Sequence, residues 1–217
     1  HNGEGEATAN IQLCTAHWYG GNREQSCENT VKSVKKLLGG IQIDGYYELN
    51  MSEIPKLNNM VDGVTVTLED DFSKKYPKMK KGATINLDDE QAYAYVHDRY
   101  GVGDEENTSR MKRQQQYMTG FFKKLQEKVK ANPNYANEVF ESLQDVSTTD
   151  ITIGKISNIS NIFASGTDKG IFELAGKSKI GQALGDEIDH MEFYVNKKAM
   201  VSTMSELFGI VEQKNKE

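Results

Sequence analysis

The chain has 217 residues and a mass of 24.4 kDa, which suits one domain with a sizeable core, or one domain plus an appendage. Its formal net charge of -6, pI near 5.4 and mean hydropathy of -0.65 describe a well-solvated acidic surface and argue against a nucleic-acid binder, which carries a basic face. No apolar run approaches the roughly 20 residues that cross a bilayer, and the polar opening shows no signal peptide, as expected of a mature or trimmed chain.

The two cysteines, Cys14 and Cys27, suit either a surface disulfide in an oxidising compartment or two unrelated buried thiols. No CxxC is present, and the four histidines have no metal-ligand spacing. His17, Trp18 and Tyr19 precede a glycine pair, where aromatics either stack on sugars or pack at a helix entrance. The next segment, "NREQSCENTVKSVKKLLGG", sets Cys27, Val31, Val34, Leu37 and Leu38 at helical spacing and stops at Gly39 and Gly40. "GIQIDGYYELN" alternates as a strand, and Asp62–Leu68 is predicted as a second, with Val64, Val66 and Leu68 on one face. "LDDEQAYAYVHDR" reads as a short helix whose Asp88 and Gln91 have capping-box spacing.

Ser109 to Lys130 is the most clearly periodic stretch, with Met111, Met118, Phe122, Leu125 and Val129 on one stripe and Thr108 or Ser109 as the cap. Residues 145–185, rich in Ser, Asn and Gly, read as short helices and loops. "HMEFYV" (190–195) alternates as a strand, and residues 199–211 form an amphipathic helix carrying Met200, Met204, Leu207 and Phe208. Helices and strands intermix throughout, which predicts an α/β layered fold with helices on both faces of a sheet.

The start of the Ser109–Lys130 helix holds cations where a helix dipole disfavours them. At about 100° per residue, Arg110, Arg113, Gln114 and Tyr117 cluster beside the apolar stripe, while Lys112, Gln116 and Lys123 take the solvated side. Each cation there is disfavoured by a few tenths to about 1 kcal/mol. A bound phosphate or pyrophosphate reverses the sign, because free N–H groups, the dipole and two guanidinium forks then face one anion. Arg99, before the glycine loop, approaches from the other side. The second reading is a salt-bridged surface in which Asp104, Glu105 and Glu106 pair with these arginines, a contribution worth little. Asp104 and Asn107 either orient the arginines or a metal, or serve as loop and cap residues.

These residues resemble a family. "LDDEQAYAYVHDRYGVGDEENTSRMKRQQQYM" is similar to the signature block of the LytR-CpsA-Psr family, L-(D/S)-G-x-x-A-L-x-Y-x-R-x-R followed by a loop with Asp and then R-x-x-R-Q. "LCTAHWYGGNREQSCENTVKSVKKLLGGIQIDGYYELN" and "LNNMVDGVTVTL" resemble two further family blocks in the same order, so the likeness spans about residues 10 to 130, with a fainter echo in "DHMEFYVNKKAMVSTMSELF". Arg99 matches the second Arg of R-x-R, and Arg110, Arg113 and Gln114 match R-x-x-R-Q. The loop acid falls at Asp104 or at the position of Asn107. His97 stands where the first Arg of R-x-R is expected, and carries full charge only below about pH 6.5. Asp62-Gly63 shortens the usual double glycine.

The resemblance implies an α/β/α sandwich with a central mixed β-sheet flanked by helices, and an apolar tunnel with a pyrophosphate at its mouth, held by arginines and Mg²⁺. It implies a phosphotransferase on the extracellular face of the cell membrane, or in the cell wall, of mostly Gram-positive bacteria. Such an enzyme moves teichoic acid, capsule or a similar glycopolymer from a polyprenyl-pyrophosphate carrier to peptidoglycan. An older family label, transcriptional attenuator, suits this acidic chain poorly. The chain is expected to be a single domain of this type over 1–217, the C-terminal two-thirds of the catalytic domain, without the N-terminal strands that bring most Mg²⁺ ligands and without the N-terminal membrane anchor.

In the implied roles Arg99 and Arg110 stabilise charge in the reaction, and Asp104 orients an arginine or accepts a proton. Arg113, Gln114, His97, Asn107 and Tyr117 bind substrate, and no residue of this chain is assigned to the metal. The Met and Phe stripe is either core or lipid pocket. The alternative function is a non-catalytic protein that binds polyprenyl phosphate or wall polymer.

Overall fold

The computed structural model of the chain describes residues 13–182 and 187–209. In chain order a 3₁₀ turn at Leu13–Tyr19 precedes α1 (Arg23–Leu37), β1 (Tyr47–Leu49), α2 (Ile54–Met60), β2 (Thr65–Thr67) and β3 (Thr84–Asn86). Then come α3 (Asp89–His97), α4 (Asn107–Ala131), α5 (Tyr135–Ser142), β4 (Ser147–Thr149), α6 (Ile153–Ser165), β5 (Gly176–Gly181), β6 (His190–Val195) and α7 (Lys197–Phe208). The fold class is α/β, rich in helix, with small antiparallel sheets. Among the described residues, no helix is long and apolar enough to cross a membrane.

Two compact units divide the chain. The larger holds Tyr47–Ser147 and Ile151–Ile171. Its core gathers Val61, Val64, Val66, Leu68, Phe72, Met79, Leu87, Tyr95, Val102, Tyr117 and Phe121. β2 and β3 form an antiparallel hairpin, with Val66 opposite Ile85. The alternation predicted over Asp62–Leu68 is realised, since Val64, Val66 and Leu68 are all buried while Thr65 and Thr67 face outward. The turn before it puts Asp62 at φ 58 and Gly63 at φ 78. A Cβ at Gly63 would lie 2.7 Å from the Leu87 carbonyl oxygen, so only glycine lets the hairpin close here.

α3 starts with the expected capping box. Asp88 accepts from the Gln91 amide at 2.9 Å, and the Gln91 side chain accepts from the Asp88 amide at 3.1 Å. α4 lies on the hairpin at Gly120, where a Cβ would meet the Val64 methyl at 2.6 Å. It also packs on α6, through an edge-to-face contact of Phe122 with Phe163 and Gln126 donating to the Phe163 carbonyl at 2.6 Å.

The second unit contains the remaining described residues. Asn22 caps α1 by accepting from the Gln25 amide at 2.8 Å, and Gly39 and Gly40, at φ 77 and 90, end it as expected. Cys27, on α1, is buried while Cys14 is exposed, and no disulfide joins them. Trp18 and Tyr19 are exposed and do not pack at the helix entrance, whereas His17 is half-buried. β5 and β6 form an antiparallel hairpin in register from Gly176 opposite Val195 to Gly181 opposite His190. In α7, Met200 and Met204 are buried and Phe208 is exposed. Gly209 ends the helix at φ 64, and residues 210–211 of the expected helix lie outside the described residues.

Several expectations are corrected. The strand read over residues 40–50 is reduced to Tyr47–Leu49, because the Gly39-Gly40 turn and the Gln42–Asp44 side-chain bond shape the stretch before it. Gly176–Gly181, expected as loop, is strand. Within the α4 stripe Val129 is buried and Leu125 packs against the core as expected, whereas Met111, Met118 and Phe122 are exposed and Arg113, Tyr117 and Phe121 are buried instead. Gln116, expected on the solvated side, is half-buried and donates to the Thr67 carbonyl at 3.2 Å.

Candidate functional site

α4 begins at Asn107, two residues before the expected start, and its N-cap Glu106 makes no side-chain capping bond. That duty falls to Asp104, whose carboxylate accepts from the Glu106 amide at 2.9 Å and from the Ser109 hydroxyl at 2.8 Å. These two bonds, the amide first, hold its carboxyl below the ordinary carboxylate range. Glu105, at φ 60, accepts from the Gly101 amide at 2.7 Å. The surface salt bridges drawn between Asp104, Glu105 or Glu106 and the arginines are therefore absent among the described ion pairs.

Arg113 is only 2 % exposed, and its guanidinium reaches three protein acceptors. Nε donates to the Tyr95 carbonyl at 3.0 Å, Nη1 to the Asp70 carboxylate and Nη2 to the Asp98 carbonyl, over the face of the Phe72 ring. Gln114 donates to the Val96 carbonyl at 3.0 Å. Tyr95, Val96 and Asp98 belong to the end of α3, where the last carbonyls of a helix have no partners within it. Arg113 and Gln114 thus cap one helix from the first turns of the next, and the cation of Arg113 meets the negative end of the α3 dipole. Both were expected to bind substrate, whereas here they face backbone.

Tyr117 is buried and donates to Asn58 Oδ1 at 3.3 Å, with burial pushing its hydroxyl pKa well up. It is a core residue in this structure. His97 is exposed, stacked on Tyr93 with ring centroids 4.8 Å apart, and its Nδ1 lies 3.1 Å from Asp98 Oδ1. Asn107 is exposed and accepts from Arg110 Nη2 at 2.6 Å.

Arg99 and Arg110 differ from Arg113. Arg99 donates to the Tyr100 hydroxyl and lies over that ring at 4.5 Å. Each of the two is half-buried and keeps a buried Nε that meets no acceptor. A buried unsatisfied donor costs about 1–3 kcal/mol, so a pair of them on either side of one glycine loop invites an anionic acceptor. Most of the described carboxylates beside them are already engaged. Asp98 faces His97 and Lys75, Asp104 caps α4, Glu105 holds Gly101, and Asp70 faces Arg113. Glu106 alone keeps an exposed, unengaged carboxylate among those named, too few for a Mg²⁺ cage.

Asp70 carries no mark in the sequence, since it lies 43 residues from its partner. The one local hint is Gly103, at φ 56, whose missing side chain leaves room for the Asp70 carboxylate.

Together these features describe an α/β protein that presents guanidinium groups around a glycine loop at a helix start. The chain belongs to the LytR-CpsA-Psr family, whose LytR_cpsA_psr model matches residues 2–208. It is a family of cell-wall glycopolymer transferases. Among solved structures the chain is similar to B. subtilis TagV, with 20% identity and a TM-score of 0.68 over 96% of this chain and 79% of that one. It is also similar to a transcriptional regulator from Enterococcus faecalis, with 21% identity and a TM-score of 0.69 over 93% and 70%. TagT bound to LI-WTA matches with 20% identity and a TM-score of 0.64 over 93% and 74%. At these identities the likeness carries the fold. A comparison with curated proteins finds no match.

Proposed function

We propose that this chain is a phosphotransferase that moves a glycopolymer from a polyprenyl-pyrophosphate carrier to peptidoglycan, at the outer face of the cell membrane. The observation that carries the proposal is the pair of unmet Nε donors on Arg99 and Arg110. Family membership and the wall-polymer ligand of TagT support it.

The exposed part of the α4 stripe supports it as well. Met111, Met118 and Phe122 are 49%, 44% and 43% exposed and run from the Arg110 end along the helix, a surface suited to a prenyl chain whose diphosphate lies at Arg110. In the reaction a sugar hydroxyl oxygen attacks the phosphorus next to the glycopolymer. The bridging P–O bond breaks, polyprenyl phosphate leaves, and the hydroxyl proton passes to a base. Arg99 and Arg110 neutralise charge on the equatorial and leaving oxygens, which is most of what such a transfer asks of a protein. Asp104, engaged by two donors that favour its charged form, is a helix cap and a poor base.

A second reading, lipid binding without turnover, draws on the engagement of Asp98, Asp104 and Glu105 in other contacts. Titration with farnesyl diphosphate tests the site, and transfer from a lipid-linked donor separates the readings. Charge-assisted bonds contribute about 1.5–3 kcal/mol each, so Arg99→Ala and Arg110→Ala should each weaken farnesyl diphosphate binding at least tenfold. Lys123→Ala, on the exposed side of α4, should not. Equal losses from all three would reduce the effect to bulk charge. Binding with no transfer to peptidoglycan would favour the second reading.

A further inference from the structure

We propose that Asp70 is a positioning residue for the two diphosphate-binding arginines, acting through Arg113. This rests on the functional reading above for what Arg99 and Arg110 hold, while the mechanical claim stands on geometry alone.

Asp70 follows β2 between two core anchors, Leu68 and Phe72, so its backbone is fixed on both sides. Its side chain is 14% exposed and pairs with Arg113, which is 2% exposed. The other two donors of Arg113 reach the Tyr95 and Asp98 carbonyls, and Asp98 directly precedes Arg99. The same carboxylate meets Gly103 in the loop that leads to α4 and Arg110. One acidic group therefore holds the start of the segment that carries the arginines, through Arg113, and packs against its middle at Gly103. A guanidinium does not lose its proton in a protein. Without its counter-charge Arg113 becomes an unpaired buried ion, a state that proteins avoid by letting the group move towards water. Its departure would release the Asp98 carbonyl, and with it the placement of Arg99.

The competing role for Arg113, direct contact with the diphosphate, predicts the opposite sign. Removing the Asp70 charge would then free a cation and tighten binding, and Arg113→Lys would keep most of the affinity. The test is titration of the whole chain with farnesyl diphosphate, with amide hydrogen exchange measured on the ligand-free protein and a thermal melt to establish folding. Asp70→Asn should bind at least tenfold more weakly, and the amides of Gly101 and Glu106, now held by Glu105 and Asp104, should exchange faster. Arg113→Lys keeps the charge but cannot reach both carbonyls, so it should lose binding similarly. It serves in place of Asp70→Asn if that variant does not melt cooperatively. Unchanged or tighter binding by a folded variant overturns the proposal, as does unchanged exchange at both amides. If the unaltered chain does not bind farnesyl diphosphate, the functional reading falls, and the exchange rates still decide whether Asp70 braces the loop.

Discussion

Gly103 sits in the left-handed region at φ 56, with the Asp70 carboxylate where a side chain would be. A terminal carboxylate usually turns aside for a new methyl group. This one is held by the Arg113 guanidinium and has little freedom to do so. Gly103→Ala therefore adds steric strain to the backbone penalty of a left-handed residue, about 1–2 kcal/mol, and should lower unfolding stability by about 2–3 kcal/mol. Chemical denaturation at neutral pH measures this. A loss below about 0.5 kcal/mol would mean that the loop relaxes freely and that Asp70 is not a rigid brace. Arg113 also answers, at this scale, why a cation stands near a helix start. It lies in the second turn of α4 and at the negative end of α3, so the favourable end of one dipole offsets the unfavourable end of the other.

At the scale of elements, α4 separates two kinds of apolar surface. Tyr117, Phe121 and Val129 join buried positions, whereas Met111, Met118 and Phe122 remain exposed. Met118→Ala should change stability by no more than about 0.5 kcal/mol, as expected of an exposed position. It removes chain-contacting atoms worth about 1–2 kcal/mol, which is roughly five- to thirtyfold in affinity. Farnesyl diphosphate should weaken by that factor and inorganic pyrophosphate not at all. Equal loss for both ligands would place Met118 outside any prenyl groove. The exposed stripe also shows what local patterns can and cannot reveal. The α3 capping box and the Val64, Val66, Leu68 face were legible because both are set by residues a few positions apart. The first half of the α4 face was misjudged, although Leu125 and Val129 were placed correctly, because hydrophobicity ranks methionine above arginine and the unpaired carbonyls of α3 make a buried Arg113 favourable. β5 was missed since "GKSKIG" has no apolar alternation and becomes strand only by pairing with β6. As candidates, Arg99 and Arg110 were legible from cations at a helix start and from the family motif, whereas Asp70 was not, because its partner comes from a distant segment.

The larger unit as a whole encloses two tyrosines whose hydroxyls meet carboxamides, Tyr95 with Gln116 and Tyr117 with Asn58. Burial pushes Tyr95 up to about 12 from the ordinary 10.0, and moves Tyr117 in the same direction. The sign follows from proton release. Below pH 10 both folded and unfolded chains keep these protons, and stability is complete. Between pH 10 and about 12 the unfolded chain ionises at Tyr95 while the folded chain resists, so stability falls as pH rises through that window. The surface pairs Lys75–Asp98 and Lys128–Asp62, whose lysines are also shifted upward, weaken in the same direction. Salt separates the two contributions, since about 1 M shortens the screening length to about 3 Å and silences exposed pairs. In such salt the thermal midpoint should stay level from pH 8 to near 10 and then fall. Tyr117→Phe, measured against its own value at pH 8, should fall less steeply, because it has one buried phenol fewer to ionise on unfolding. A midpoint that stays level to pH 11.5 in high salt would mean that water already reaches these hydroxyls and that the core around α3 and α4 is looser than its packing indicates.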